Sequence, residues 1–284
     1  MLTAKWKDYE VIACGNGEKL ERWGEVYLLR PDPQAIWPAP FPLARFDALD
    51  AHYRRDGGGG AWEYIDSIPA EWTIGWQDVR FLIKPMGFKH TGLFPEQAVN
   101  WEKTRALCEV KPGIRVLNLF GYTGGVTVAL AKRGAFVTHV DAAKGMVDRC
   151  RRNAELSAVA GDRIRYIVDD CKKFVTREIK RGKTYDAVIM DPPSYGRGPS
   201  GETWKLEDGV YELAELTARL TPEPVFFLIN SYTTGLQPQV IKNILEIALG
   251  GRKGRADAYE IGLPVTSQKN IILPCGCSGI WVGE

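Results

Sequence analysis

Asp191-Pro192-Pro193-Ser194-Tyr195-Gly196 brings an acid, two rigid prolines and a flat aromatic into six consecutive positions. The apolar run Tyr185–Met190 before it reads as a buried parallel strand, and the prolines forbid continuation of either ladder or helix. The chain is therefore held in an extended turn whose carbonyl directions are fixed. Asp191 and the Pro192 carbonyl can accept the hydrogens of amino or ring nitrogens, and Tyr195 can stack. Such a turn suits a planar group such as a nucleobase. Loop packing is the plainer use of Tyr195. Gly196 through Lys205 follows, rich in glycine, proline and serine. It reads as a mobile loop in which Arg197, Trp204 and Lys205 contact phosphates and bases, with an ordinary surface loop as the alternative.

A second constellation lies upstream. Val116-Leu117-Asn118-Leu119-Phe120-Gly121-Tyr122-Thr123-Gly124-Gly125 is a strand running through a glycine-rich turn into a helix. Glycines let backbone approach a ligand closely, and a helix start offers N–H donors and partial positive charge. Asp141 stands twenty residues past Gly121 at the end of the next strand, where a carboxylate can accept from both hydroxyls of a ribose. Asp169-Asp170 ends the strand after that. Asp170 is placed to take an adenine amino group or simply to cap a helix. A nicotinamide dinucleotide site shares much of this, but the turn lacks GxGxxG, and Asp-Pro-Pro after a fourth strand is not expected of a dehydrogenase. Asn230 and Ser231, at the tip of a fifth strand, are expected to face the same cleft.

The elements that must position these residues alternate strand and helix. Strands are expected over Arg115–Leu119, Phe136–Val140, Ile164–Val168, Tyr185–Met190, Val225–Ile229, about Ala256–Ile261 and Ser278–Val282, with helices between the first six. The connection from about Gly262 to Cys277 has no helical period, which favours a terminal antiparallel hairpin. The fold class is α/β: a Rossmann-like, seven-stranded, mostly parallel sheet. Residues 101–284 form this domain. Residues 1–100 hold six of the nine tryptophans and read as a small, mostly β region. In it Gly15-Asn16-Gly17 is expected to turn between a strand near Tyr9–Cys14 and one ending at Arg30, and Gly57–Gly60 to be a flexible, exposed break.

Composition excludes several classes. No apolar stretch approaches the ~20 residues that span a bilayer, and Met1–Asp8 lacks the apolar centre of a signal peptide, so a cytoplasmic location is expected. The six cysteines are scattered without a CxxC pair and read as free thiols, and the three histidines have no metal-ligand spacing. No metal is expected. Net charge is only +2, with 11 basic and 14 acidic residues in the first hundred and 26 and 21 in the rest. That weak balance leaves small-molecule or protein acceptors open beside nucleic acid.

The order of these motifs resembles the class I S-adenosylmethionine-dependent methyltransferases. The closer likeness is to the bacterial large-subunit (23S) rRNA cytosine-C5 / guanine-N7 methyltransferase family, carried by Leu117–Gly125, Val140-Asp141, Asp169-Asp170 and Asp191-Pro192-Pro193. Phe88–Gln97 looks like that family's segment linking the N-terminal region to the catalytic domain and closing over the cofactor. The resemblance implies S-adenosyl-L-methionine as cofactor, with Gly121 and Tyr122 lining the methionine moiety, Asp141 the ribose and Asp170 the adenine. Asn118, Phe120, Thr123, Gly124 and Asp191 would complete its surroundings. It also implies ribosomal or other structured RNA as partner. Cytosine C5 becomes nucleophilic only after a thiolate adds to the ring, and family members acting there carry a cysteine after the fourth or fifth strand. Asp191–Tyr195 and Asn230–Gly235 contain none. A nitrogen nucleophile is therefore expected, served by Asp191, Pro192 and Tyr195. A non-catalytic RNA-binding protein is the remaining alternative.

Overall fold

A computed structural model describes residues 1–2, 6–56, 59–197, 203–233 and 235–284, and all but the side chains of Phe88 and Arg197 among them. The chain divides into two compact units, Met1–Val99 with Gly262–Cys275, and Asn100–Ile261 with Gly276–Glu284.

The first unit contains strands β1 (Tyr9–Gly15), β2 (Glu18–Trp23), β3 (Val26–Pro31), β4 (Ala51–Asp56) and β5 (Gly59–Tyr64), hydrogen-bonded in that order. A separate hairpin pairs β6 (Trp72–Trp76) with β7 (Val79–Ile83). Two sequence expectations are corrected here. The Asn16-Gly17 turn leads into β2, a strand of its own, rather than directly into the one ending at Arg30. Its charged sequence conceals that Glu21 is fully buried. Burial alone would raise the Glu21 pKa, but Arg30, bonded at 2.6 and 2.7 Å, together with Lys19 holds it down at about 2. Gly59 and Gly60 are not part of a loop but open β5. A Cβ on Gly60 would lie 2.6 Å from the Tyr53 ring, so this strand start has room for glycine alone. Residues 57 and 58 lie outside the described residues. The tip of the C-terminal hairpin also belongs with this unit: Val265 bridges Val11, and Thr266 N–H donates to the Val11 carbonyl at 2.9 Å.

The second unit is the expected seven-stranded, mostly parallel sheet. Its elements are α1 (Ala98–Cys108), β8 (Arg115–Leu119), α2 (Gly125–Ala131), β9 (Phe136–Asp141), α3 (Lys144–Leu156), β10 (Ile164–Val168), α4 (Cys171–Lys180) and β11 (Ala187–Met190). There follow a two-stranded ribbon, β12 (Tyr195–Arg197) and β13 (Thr203–Lys205), then α5 (Leu206–Ala218), β14 (Phe226–Ser231), α6 (Pro238–Ala248), β15 (Gly254–Pro264) and β16 (Ile272–Gly283). The sheet order is β10-β9-β8-β11-β14-β16-β15. The first five of these run parallel, and β16 enters antiparallel beside β14. Leu117, Leu119, Val188, Met190, Phe227 and Ile229 are wholly buried in one apolar core, as central strands covered on both faces require. Strand order reverses between β8 and β11, so the loops leaving their carboxyl ends diverge and open a crevice. The glycine-rich turn and Asp-Pro-Pro leave those two ends.

Candidate active site

The turn after β8 is a strained cradle. Phe120 and Tyr122, neither of them glycine, adopt φ of 56° and 50°, and Gly124 has φ of 83°. Left-handed non-glycine backbone costs on the order of 1–3 kcal/mol per residue and persists only where surroundings enforce it. Those surroundings are visible. Phe120 N–H donates to Cys171 Sγ at 3.3 Å, Gly121 N–H to the Val140 carbonyl at 3.0 Å, and Tyr122 N–H to Asp141 Oδ2 at 2.8 Å. Gly124 N–H closes on the Gly121 carbonyl at 2.9 Å, and Asn153 Nδ2 donates to the Thr123 carbonyl at 2.9 Å. These N–H groups are spent inside the turn, and α2 is only seven residues long. What the turn offers a ligand is shape. Added Cβ atoms would fall 2.3 Å from His139 Cε1 at Gly121, 2.1 Å from Cys150 Sγ at Gly124 and 2.6 Å from Trp101 at Gly125. The backbone here is packed closely on the His139, Cys150 and Trp101 side chains.

Four acids stand along the strand tips. Both Asp141 oxygens accept backbone amides, Oδ2 from Tyr122 and Oδ1 from Ala143 at 2.9 Å, and each retains capacity for a further donor. Burial raises its pKa above the ordinary carboxylate value, against the pull of the Ala143 and Tyr122 amides. Asp169 pairs with Arg177. Asp170 is the N-cap of α4, with Oδ1 accepting from Lys173 N–H at 2.8 Å. Asp170, Lys172, Lys173, Arg177, Trp204 and Lys205 line a groove of about 770 Å³. Asp191 follows β11 half-buried, its N–H donating to the Leu119 carbonyl at 3.3 Å.

The Asp-Pro-Pro turn is braced from behind. Trp204 Nε1 donates to the Pro193 carbonyl at 2.7 Å, and its ring tilts against Phe120 with centroids 5.7 Å apart. Thr233 Oγ1 donates to Ser194 Oγ at 2.7 Å, joining the turns after β11 and β14. Leu206 N–H donates to the Ser194 carbonyl at 3.1 Å. The segment expected as a mobile loop is thus β-paired at both described ends, with Tyr195 opposite Lys205 and Gly196 opposite Trp204. Residues 198–202 and the Arg197 side chain lie outside what is described. Trp204 is half-buried, with its indole N–H and its face both partnered, while Tyr195 and Lys205 are exposed.

Two sequence-chosen groups lie elsewhere than expected. Asn118 is buried, with Nδ2 donating to Thr127 Oγ1 at 2.8 Å, so its side chain supports the turn from below. Asn230 and Ser231 are buried too. Asn230 Oδ1 accepts from Asn100 Nδ2 at 3.0 Å and from Ser278 Oγ at 2.6 Å, while Tyr259 Oη donates to Asn100 Oδ1 at 2.7 Å. This network anchors α1 and β16 to the end of β14. Asn100, Asn153, His139 and Cys171 carry no motif that sequence spacing could have found. Among the described residues no group of three or more His, Cys, Asp or Glu could hold a metal ion, and no helix is long and apolar enough to cross a membrane.

Comparison with known proteins agrees with this geometry. Ribosomal RNA large subunit methyltransferase K/L of Alteromonas mediterranea is 33% identical over 177 residues, 61% of this chain and 24% of its own length. Ribosomal RNA large subunit methyltransferase I of Salmonella arizonae is 32% identical over 128 residues, 45% of this chain and 31% of its own. The matched stretch therefore spans only a minor part of these curated relatives. The crystal structure of a SAM-dependent methyltransferase from Agrobacterium tumefaciens superposes with a TM-score of 0.93 at 30% identity, covering 100% of this chain and 93% of that one. The defining pattern of the S-adenosylmethionine-dependent methyltransferases matches residues 32–225. With a strained glycine turn, an acid at the next strand tip and Asp-Pro-Pro across the switch point, the chain belongs to the S-adenosylmethionine-dependent methyltransferase family.

Proposed function

We propose that this methyltransferase modifies a ring or exocyclic nitrogen of a base in ribosomal or other structured RNA, in the cytoplasm. The observation that carries the choice of nitrogen is the pair of hydroxyls, Ser194 and Thr233, joined at 2.7 Å where the strand tips of a C5 enzyme would need a thiol. Cys277, which β16 places opposite Ser231 at the end of β14, is buried against the Leu236 carbonyl, and burial pushes its pKa up to about 11. It is a poor source of the thiolate that C5 chemistry requires.

Bound S-adenosylmethionine supplies a methyl group already activated on a sulfonium. The chain's own residues then have three tasks. The turn at Phe120–Gly124 shapes the cofactor's seat, Asp141 holds the ribose hydroxyls, and Asp170 uses its second oxygen for the adenine amino group. Asp191 and the Pro192 carbonyl accept hydrogens of the target nitrogen and turn its lone pair toward the methyl carbon, while Tyr195 covers the base face. The methyl group would come from the bound cofactor, and where the target nitrogen carries a hydrogen, an Asp191 carboxylate oxygen would take up the proton that it releases. Lys205 and Arg197 are proposed to meet RNA phosphates.

Incubation with tritiated S-adenosylmethionine and total RNA tests the reading, with an N-methylated nucleoside as the expected label. Labelled 5-methylcytosine overturns the nitrogen assignment, and label found only in protein or small molecules overturns RNA as substrate. Asp141 adds a pH signature. A carboxylate receives hydroxyl hydrogen bonds better than a carboxylic acid does. S-adenosylhomocysteine affinity should therefore be flat near neutrality and weaken on acidification, beginning above the ordinary aspartate value because burial has raised this pKa. Isothermal titration across pH 5 to 8 reads this, and Asp141→Asn should be weaker throughout and lose the slope.

A further inference from the structure

His139 and Asp141 lie two residues apart on β9 and so point to the same face of the sheet. Asp141 has a function in the proposed site, whereas His139 is wholly buried beneath the turn and has none. Its surroundings are specific. Asn118 Nδ2 donates to Thr127 Oγ1 at 2.8 Å, and the same hydroxyl is hydrogen-bonded to His139 Nδ1 at 2.9 Å. The ring also meets the backbone of Tyr122 above it. Burial pushes the imidazole pKa down to about 4, so the ring is neutral at physiological pH. Cys150 Sγ lies 3.7 Å from Nδ1 and continues the same floor under Gly124.

The fit over this floor is close. A Cβ on Gly121 would sit 2.3, 2.4 and 3.1 Å from three atoms of the His139 ring, and no other group is nearer. Gly121 is absent from the positive-φ positions, so glycine is needed at 121 because of the imidazole beneath it and not because of its own backbone angle. Its neighbours Phe120 and Tyr122 are the strained residues, and they can hold their angles only if Gly121 stays seated.

We infer that His139 is a positioning residue for the cofactor: its ring, oriented by the Asn118–Thr127 chain, sets the height at which Gly121 rests and hence the shape of the seat above. The inference rests on the cofactor lying against the Gly121–Gly124 turn. It predicts that Gly121 and His139 are coupled energetically although His139 touches no ligand.

A double-mutant cycle on the full chain tests this, using S-adenosylhomocysteine titration calorimetry at 15 °C and thermal unfolding of each variant. Gly121→Ala should weaken binding by about 30-fold or more and His139→Ala by about fivefold, while the double variant binds at least about fivefold tighter than Gly121→Ala alone. His139→Gln keeps volume under the turn and should give no such rescue. A merely structural histidine would lower the unfolding temperature in both backgrounds and leave the two losses additive, and additivity overturns the inference. Should His139→Ala not fold, His139→Ser is the truncation to use in the same cycle, with rescue again expected and its absence again decisive. If Gly121→Ala leaves binding unchanged, the turn is not the cofactor's seat, and that failure belongs to the functional reading instead.

Discussion

Asp191→Ala is expected to lower kcat/KM for methyl transfer to RNA by about 10²- to 10³-fold, while S-adenosylhomocysteine affinity changes by less than about tenfold. The asymmetry follows from how the residue is held. Its backbone is tied to the Leu119 carbonyl and followed by two prolines, so removing the carboxylate does not release the turn. The part lost is the acceptor that orients the target nitrogen and receives its proton. Asp191→Asn keeps the shape and one acceptor oxygen but no basic site, and should recover the RNA affinity without the rate. Single-turnover transfer from tritiated cofactor separates the two. An unchanged rate in Asp191→Ala would remove this carboxylate from the chemistry.

Gly124→Val should be the most damaging single change to the fold near the site. The new side chain would start 2.1 Å from Cys150 Sγ and 2.9 Å from its Cβ, in a backbone held at φ of 83°. Overpacking and the left-handed penalty together predict a loss of about 3–5 kcal/mol, or a fall in unfolding temperature of roughly 6–15 °C. Gly134 provides the control, since its φ is 93° but a Cβ there meets nothing within 4 Å. Gly134→Val therefore carries the angular penalty alone, about 1–2 kcal/mol. Equal melting temperatures for the two variants would show that the floor under Gly124 yields.

Much of this architecture was legible because its signals are local. Buried parallel strands announce themselves as short apolar runs, and Gly121, Asp141, Asp170 and Asp191 fall at the tips of strands consecutive in the chain, which the sheet sets side by side in the order Asp170, Asp141, Gly121, Asp191. The misreadings share a different cause. Trp204 looked exposed because its partners, the Pro193 carbonyl and the Phe120 ring, are distant in sequence. Asn230 was read as facing the cleft, yet its partners Asn100 and Ser278 lie 130 and 48 positions away. The strand β2 was missed since a buried Glu21 makes sense only beside Arg30. In each case a polar group's side of the sheet was decided by a partner that no periodicity reveals. His139 belongs with these: its neighbour Thr127 is on α2, and its steric role shows only when a methyl group is placed on Gly121.

The sheet order also sets a timetable for synthesis. β14 gains its second neighbour only when β16, which follows β15 in sequence, slides between them. Until then Phe226-Phe227-Leu228-Ile229 presents an unpaired edge, and this is the kind of uncharged, β-prone window that recruits other chains. The crevice between β8 and β11 can close earlier, because every strand from β8 to β14 has emerged by then. A nascent chain paused after β14 would thus hold a complete pair of strand tips for its cofactor beside an open, sticky flank. Ligand that binds such an intermediate would hold the parallel half of the sheet together while the ribosome finishes the wedge.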